Sequence, residues 1–428
     1  MLSVTNTTSF EKRKKADAII IPFFEGKKQP KLAASACDKE LKEFSHIISF
    51  EDFSAKSGNS LCVYPKKGTE PRIILLGLGD EKKCNTEELR RCYGAALQVC
   101  LDKKTKTVNL LAPQSSSIKE GEAVSAIMEG ILSQNYHFSL KNQNKEPVVR
   151  VEKCQWVGLS KSSVDQAKQA VSIFDGVYLA RDLINGNADD VSPQYLGSVA
   201  TAMGKKHSAL KVSVFNKKRI EKEKMDLLLA VSRSGNVDPA FIIMDYQGAP
   251  KSKDKTVLVG KGITYDTGGL NLKPTGSIET MKCDMGGAAA VIGTMRAICE
   301  LKLPINVCGV VPSCENGIDA ISYKPGDVYN SYKGLSVEIG NTDAEGRLIL
   351  CDALTYCEKF KPKAVIDIAT LTGAVIIALG KHHSGVMSND QKLADALKSS
   401  GLSSLDTVWQ LPLDEEYDDL LKSNFADM

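Results

Sequence analysis

Three successive runs decide the fold: Thr256-Val-Leu-Val259, then Gly286-Gly-Ala-Ala-Ala-Val-Ile-Gly-Thr-Met-Arg-Ala-Ile-Cys-Glu-Leu301, then Asn306-Val-Cys-Gly-Val-Val311. The outer two are short, valine-rich and apolar, which is the pattern of buried strands. The middle run is too long for a strand and reads as a helix. Strand, helix, strand in that order implies an α/β layer with a largely parallel sheet. Working outward, further strands are predicted at Lys211–Phe215, Ala240–Asp245 and Ala364–Ile368, and a second helix at Gly346–Phe360.

The first part of the chain repeats the alternation. Ala18–Ile21, Arg72–Leu76 and Thr107–Leu111 read as buried strands, and Glu87–Leu101 and Glu120–Leu132 as amphipathic helices. Between the halves, Ala167, Ala170, Val171, Ile173, Phe174, Val177, Leu179 and Ala180 recur at helical spacing until Asn185-Gly186-Asn187, a turn signal. A chain of 428 residues also exceeds what one hydrophobic core usually serves. The expected organisation is therefore an N-terminal α/β domain over 1–160, a connecting helix over 161–187, and a second α/β domain over 188–428. Each would be a mostly parallel or mixed sheet flanked by helices.

Composition narrows the class. With 55 Lys+Arg against 52 Asp+Glu the net charge is only +3, too even to argue for a nucleic-acid partner. The twelve cysteines, Cys37 among them, form no C-x-x-C pair, so reduced thiols are the better reading. The amino terminus, MLSVTNTTSFEKRKK, lacks the apolar stretch of a secretory signal, and Asn6-Thr7-Thr8 is then no useful glycosylation signal. No run approaches the roughly 18 apolar residues that span a bilayer. A cytoplasmic protein with no membrane partner is expected. Charged stretches at Lys103–Lys106 and Lys141–Lys145 read as solvated loops.

Two stretches of the second domain mix glycine, carboxylate and cation: Val259-Gly-Lys-Gly-Ile-Thr-Tyr-Asp-Thr-Gly-Gly269, continuing to Met281-Lys-Cys-Asp-Met-Gly-Gly287, and Asn341-Thr-Asp-Ala-Glu-Gly-Arg-Leu348. In an extended segment Asn341, Asp343, Glu345 and Arg347 would all face one side. Spacing alone favours a blander reading, since Thr342-x-x-Glu345 before an apolar run is a capping box. Asp284, just before a helix start, reads as an N-cap on the same logic. Gly268-Gly269 after Asp266 permit a tight backbone path around a ligand. Gathered together, Asp266, Asp284, Asp343 and Glu345 would concentrate about four negative charges that a fold cannot cheaply bury. Two divalent cations would neutralise them, with Lys261 as a neutral-amine ligand.

These motifs, with Lys273-Pro274 and Ala369-Thr-Leu-Thr-Gly373, resemble those of the leucyl aminopeptidases, the cytosolic two-metal family that includes the bacterial aminopeptidase A type. The resemblance is dense from about Leu183 onward and makes 188–428 the catalytic domain. It implies hydrolysis of the N-terminal residue of peptides, preferentially Leu or another apolar residue, by metal-activated water. It implies one metal on Lys261, Asp266, Asp284 and Glu345 and a more exchangeable one on Asp266, Asp343 and Glu345. Manganese or zinc is expected, with magnesium a third option. Lys273 and Arg347 match the two catalytic cations, Lys273 for the developing oxyanion and Arg347 for a bound bicarbonate. Asp284 would also contact the substrate's amino group, and Met281, Thr370, Leu371 and Gly373 would bind the substrate side chain. A homo-hexamer acting on peptides is implied. The family continues for several dozen residues past Leu421-Lys-Ser-Asn-Phe-Ala-Asp-Met428, so the catalytic domain is expected to be incomplete at that end. Two other readings stand beside the peptidase. One is a DNA-binding regulatory role, in addition to catalysis or instead of it, for which Lys12-Arg13-Lys14-Lys15 and a slight positive balance are the only features; the other is an inactive truncated scaffold.

Overall fold

The computed structural model describes residues 1–27, 29–34, 53–115, 117–139 and 148–428. Cys37 and the Lys141–Lys145 loop expectation lie outside them. The chain divides into two compact units, Met1–Tyr178 and Leu179–Met428. The helix over Lys161–Asn185 runs through the boundary, so the connecting element belongs partly to each unit.

In the first unit, strand β2 (Ala18–Phe24) is buried on both faces. Its side chains alternate as strand geometry requires. Ala18, Ile20 and Phe24 pack with Tyr93, Leu97, Ile127 and Ile131, whereas Ile19, Ile21 and Phe23 pack with Phe10 and Phe53. The first set of partners lies on two helices, α1 (Thr86–Asp102) and α2 (Glu120–Gln134). Asn85 caps α1 by accepting from the Glu88 N–H at 3.0 Å. Among the described strands, β1 (Ser3–Thr7), β7 (Lys153–Val157), β6 (Thr107–Leu110), β2 and β5 (Ile73–Gly77) run parallel in that spatial order. Two short strands, β4 (Ser60–Val63) on β5 and β3 (Lys31–Leu32) on β2, are antiparallel. Of the basic quartet at 12–15, Lys12, Lys14 and Lys15 are exposed and Arg13 is withdrawn from the surface. Arg13 is buried against the Phe10 ring, with Nε 2.8 Å and Nη2 3.0 Å from the Glu70 carboxylate.

The second unit carries a mixed sheet in the order β15 (Ala364–Ile368), β10 (Thr256–Gly260), β12 (Asn306–Asn316), β9 (Ala240–Gln247), β8 (Leu210–Phe215), with β11 (Gly262–Asp266) beside the far end of β12; β13 (Val328–Asn330) and β14 (Ser336–Glu338) form a separate antiparallel pair. The β15–β10–β12 set and β11 are parallel; β9 runs antiparallel to β12, and β8 antiparallel to β9. Helices cover both faces. On one, α6 (Asp226–Ser232) and α8 (Glu345–Cys357) pack Leu227, Leu228, Ile349 and Ala353 onto Val257, Val259 and Val310. On the other, α4 (Pro193–Lys206) and α7 (Gly286–Leu301) pack Leu196, Ala200, Val291 and Met295 onto Val307, Val311 and Met244. (Helix α3 is Lys161–Asn185 and α5 is Lys217–Glu223.) The N-terminus of α6 has no side-chain cap of its own. Buried Asp352 of α8 supplies one, accepting from Leu228 N–H at 3.0 Å and Tyr332 N–H at 2.8 Å. Burial pushes that carboxyl up to about 6.

Strand β12 runs five residues past the expected end at Val311. Pro312 does not stop it because the proline falls where the parallel ladder changes partner, between Val310 opposite Val259 and Ser313 opposite Gly262. The extension carries the strand to Asn316, and with it the C-terminal ends of β10, β11, β12 and β15 meet at one edge of the sheet. Such an edge is where α/β folds place their ligands.

Candidate metal centre

Lys261 lies between β10 and β11, its backbone fixed on both sides. Its N–H donates to the Ile368 carbonyl at the end of β15, and its carbonyl accepts from Ala288 N–H in the first turn of α7. The side chain is buried. Its Nζ sits 2.7 Å from Asp284 Oδ2 and 2.8 Å from Glu345 Oε1, and donates to the Thr370 carbonyl at 2.9 Å. Asp266, also buried, ends β11; its Oδ1 accepts from Gly268 N–H at 2.9 Å and Asn316 Nδ2 at 2.8 Å. Lys273 Nζ bridges Asp266 Oδ2 at 2.9 Å and Asp343 Oδ1 at 2.5 Å. Thr370 Oγ1 donates to Asp284 Oδ1 at 2.7 Å. Ligand oxygens of Asp266, Asp343 and Glu345 lie within 4.8 Å of one another. Four carboxylates and two lysines from separate parts of the sequence thus share one site.

Both local readings of the carboxylates give way. Asp284 does not cap α7: the residue in that position is Met285, and the Asp284 side chain turns to Lys261 and Thr370. The Thr342–Glu345 capping box is absent as well. Thr342 donates to the Gly268 carbonyl and accepts from Asn271 N–H, while Glu345 reaches Lys261. The extended alternation of Asn341 to Arg347 is also replaced. Only Asn341 is extended; Thr342–Ala344 form a 3-10 turn and Glu345 begins α8. Arg347 is accordingly exposed on the helix and pairs with none of the carboxylates, as expected for helical residues two apart. Met281 is half-buried at the start of the 3-10 turn that leads into Asp284. Leu371 and Gly373 are exposed on the segment just past Thr370.

The charges are strongly perturbed. Burial is the main force raising the Glu345 carboxyl to about 7, with Asp266 and Asp284 adding repulsion against the pull of Lys261. Burial likewise raises Asp284. Desolvation alone would lower Lys261, but Glu345 and Asp284 outweigh it and hold the amine above its usual range. Lys273 is raised too, by Asp343 and Asp266 against its own desolvation. Glu345 Oε2 is buried without a hydrogen-bond partner. An orphaned carboxylate oxygen beside three further acids fits a divalent cation, and the oxygen-rich donor set suits manganese or magnesium as well as zinc.

Several residues that build the site carry no signal of their own in the motifs. Wholly buried Asn316 and Tyr323 both donate to the Thr342 carbonyl, at 3.0 and 2.7 Å, and Asn271 Oδ1 accepts from Thr342 N–H at 2.8 Å. Together they pin the turn that carries Asp343. Gly268 and Gly269 adopt φ of 85° and 63°, and a Cβ on Gly268 would stand 2.9 Å from Asp343 Oδ1. The tight path expected there is therefore real, and only glycine can follow it.

Such a donor set on the carboxyl edge of an α/β sheet is that of a metal-dependent enzyme. Residues 178–428 match the model of the cytosol aminopeptidase family catalytic domain, and residues 20–145 match that of its N-terminal domain. A probable cytosol aminopeptidase of Protochlamydia amoebophila is 48% identical over 426 residues, covering 99% of this chain and 85% of the relative. Among solved structures, a mutant of tomato leucine aminopeptidase superposes with a TM-score of 0.87 at 28% identity, covering 100% of this chain and 85% of its own. A bottromycin maturation enzyme in complex with Mn superposes with a TM-score of 0.82 at 27% identity, covering 96% and 85%. The chain belongs to the cytosol aminopeptidase family and is a metal-dependent aminopeptidase. No described helix is long and apolar enough to cross a membrane.

Proposed function

We propose that this chain removes the amino-terminal residue of peptides, preferring Leu and other apolar residues, with two divalent cations held by Asp266, Asp284, Asp343 and Glu345, and by Lys261 once it gives up the proton that Glu345 and Asp284 hold on it in the absence of cations. The observation that carries the proposal is the convergence of Asp266 and Asp343 on Glu345, whose Oε2 is buried and unpartnered, with Asp284 joined to the group through Lys261. Bound cations supply Lewis-acid polarisation of the scissile carbonyl and an acidified water. The protein's own groups do the rest. Asp284, held by Thr370, accepts from the substrate's free amino group, which confines cleavage to the first residue. Lys273 presents a fixed positive charge for the oxyanion that develops at the carbonyl. Arg347, exposed on α8, offers a planar fork suited to bicarbonate. Met281, Thr370, Leu371 and Gly373 line the side-chain pocket. Assembly is as a hexamer in the cytoplasm, with manganese or zinc loaded.

Purified chain should hydrolyse leucine amide with added manganese, lose that activity to a chelator, and regain it when manganese returns. Metal analysis should find about two ions per chain. Full turnover after exhaustive chelation would sink the proposal. Lys273→Ala should lower kcat by roughly 10²–10³-fold, the usual cost of one oxyanion donor, with a much smaller change in KM. An unchanged kcat would take Lys273 out of that role.

A further inference from the structure

We infer that Asn316 is a positioning residue of the metal centre, whose side-chain amide sets the separation between Asp266 and Asp343. The inference rests on the metal reading above and assigns a role to a residue that no ligand motif contains.

Asn316 ends β12 and is completely buried. Both hydrogens of Nδ2 are spent. One reaches Asp266 Oδ1 at 2.8 Å, and the other the Thr342 carbonyl at 3.0 Å, one residue before Asp343. The backbone carbonyl of Asn316 accepts from Thr267 N–H at 2.9 Å and Thr267 Oγ1 at 2.8 Å. One residue therefore ties the end of β11 to the turn ahead of α8. Those are the two segments whose acids must come within a few ångströms of each other.

The choice of side chain follows from the charge around it. Two donors are needed against a carboxylate and a carbonyl, in a site already crowded with acids. An amide supplies both without adding charge. Aspartate has the same shape but offers no donor when ionised, and serine offers one. The amide carries a cost, because Asn316 Oδ1 is buried with no hydrogen-bond partner. An orphaned acceptor of that kind costs about 1–3 kcal/mol. The donor side is therefore where this amide contributes, through its two bonds to Asp266 and Thr342. Groups that orient metal ligands in this way typically alter metal affinity 10–100-fold when removed.

The test compares the full chain with Asn316→Asp and Asn316→Ala, each stripped with chelator and titrated calorimetrically with manganese. Melting with and without the metal is measured alongside. The inference expects folded variants with manganese affinity about 10–100-fold weaker and a smaller manganese-dependent rise in Tm. A merely structural role would lower Tm in chelator yet leave manganese affinity unchanged, and that result overturns the inference while the metal reading stands. If Asn316→Ala fails to fold, the near-isosteric Asn316→Asp decides between the same two outcomes. An unaltered chain that binds no manganese overturns the metal reading itself, and this inference with it.

Discussion

Glu345→Gln is expected to cut kcat/KM for leucine amide by at least about 100-fold, with loss of bound manganese and an unchanged fold. The substitution keeps shape and volume and removes one negative charge. Glu345 is buried at the first residue of α8, with Oε1 on Lys261 and Oε2 without a hydrogen-bond partner. An amide there must either turn its NH₂ toward the Lys261 amine, placing donor against donor, or present it where a cation needs a lone pair. Both orientations weaken cation binding, and a lost ligand should cost more than a lost supporting group. Two effects on stability oppose each other: losing one buried acid relieves its repulsion with Asp266 and Asp284, while buried Lys261 gives up one of its two acidic partners and keeps Asp284. The measurement is metal content and kcat/KM on one preparation, with circular dichroism to confirm folding. Wild-type metal content and turnover in a folded Glu345→Gln chain would remove Glu345 from the ligand set.

The same residue shows how far the sequence could be read. Periodicity placed the helix at Gly286–Leu301 and the strand at Ala364–Ile368 with the bounds the structure has. Both are bounded by strong breaks in pattern, which is why they were legible. The acids were legible as a group through the charge that gathering them would concentrate. Read singly, Asp284 looked like an N-cap and Glu345 like half of a capping box, because local spacing cannot reveal that Lys261 pairs with both. Thr342-x-x-Glu345 has the letters of a capping box, yet both side chains find long-range partners instead. Asn316 was hidden for a different reason. With β12 expected to end at Val311, a buried amide at the strand's true end had no element to belong to. Nothing in a one-dimensional pattern shows that a proline can sit at a change of ladder partner. Tyr323 and Asn271 act through Thr342, and contacts at such sequence separation leave no periodic trace.

Gly287→Ala is expected to destabilise the protein by about 3 kcal/mol or more and to lower activity together with stability. Helix propensity alone argues the other way, since Ala in a helix is better than Gly by about 1 kcal/mol. Packing decides the sign. A Cβ on Gly287 would stand 1.8 Å from the Ile368 carbonyl oxygen, 2.7 Å from its carbon and 2.9 Å from Lys261 N. All three are backbone atoms, so no side chain can swing away to make room. A Cβ on Gly260 of β10 would in turn meet the Gly287 carbonyl at 2.5 Å, so the helix and the strand touch through a pair of glycines. The Ile368 oxygen also accepts from Lys261 N–H, and Lys261 accepts from Ala288 N–H. Pushing α7 outward therefore moves the segment that aims Lys261 at Asp284 and Glu345. A displacement of about 1 Å at a reacting centre costs roughly 10²-fold in rate. For a unit of this size the stability loss corresponds to a Tm drop of roughly 6–12 °C. Gly286→Ala is the control, because a Cβ there would meet only the Thr370 methyl, at 3.3 Å. It should melt close to the unaltered chain. Equal melting temperatures for the two variants would show that α7 does not approach the sheet through Gly287, and the support for Lys261 would have to come from elsewhere.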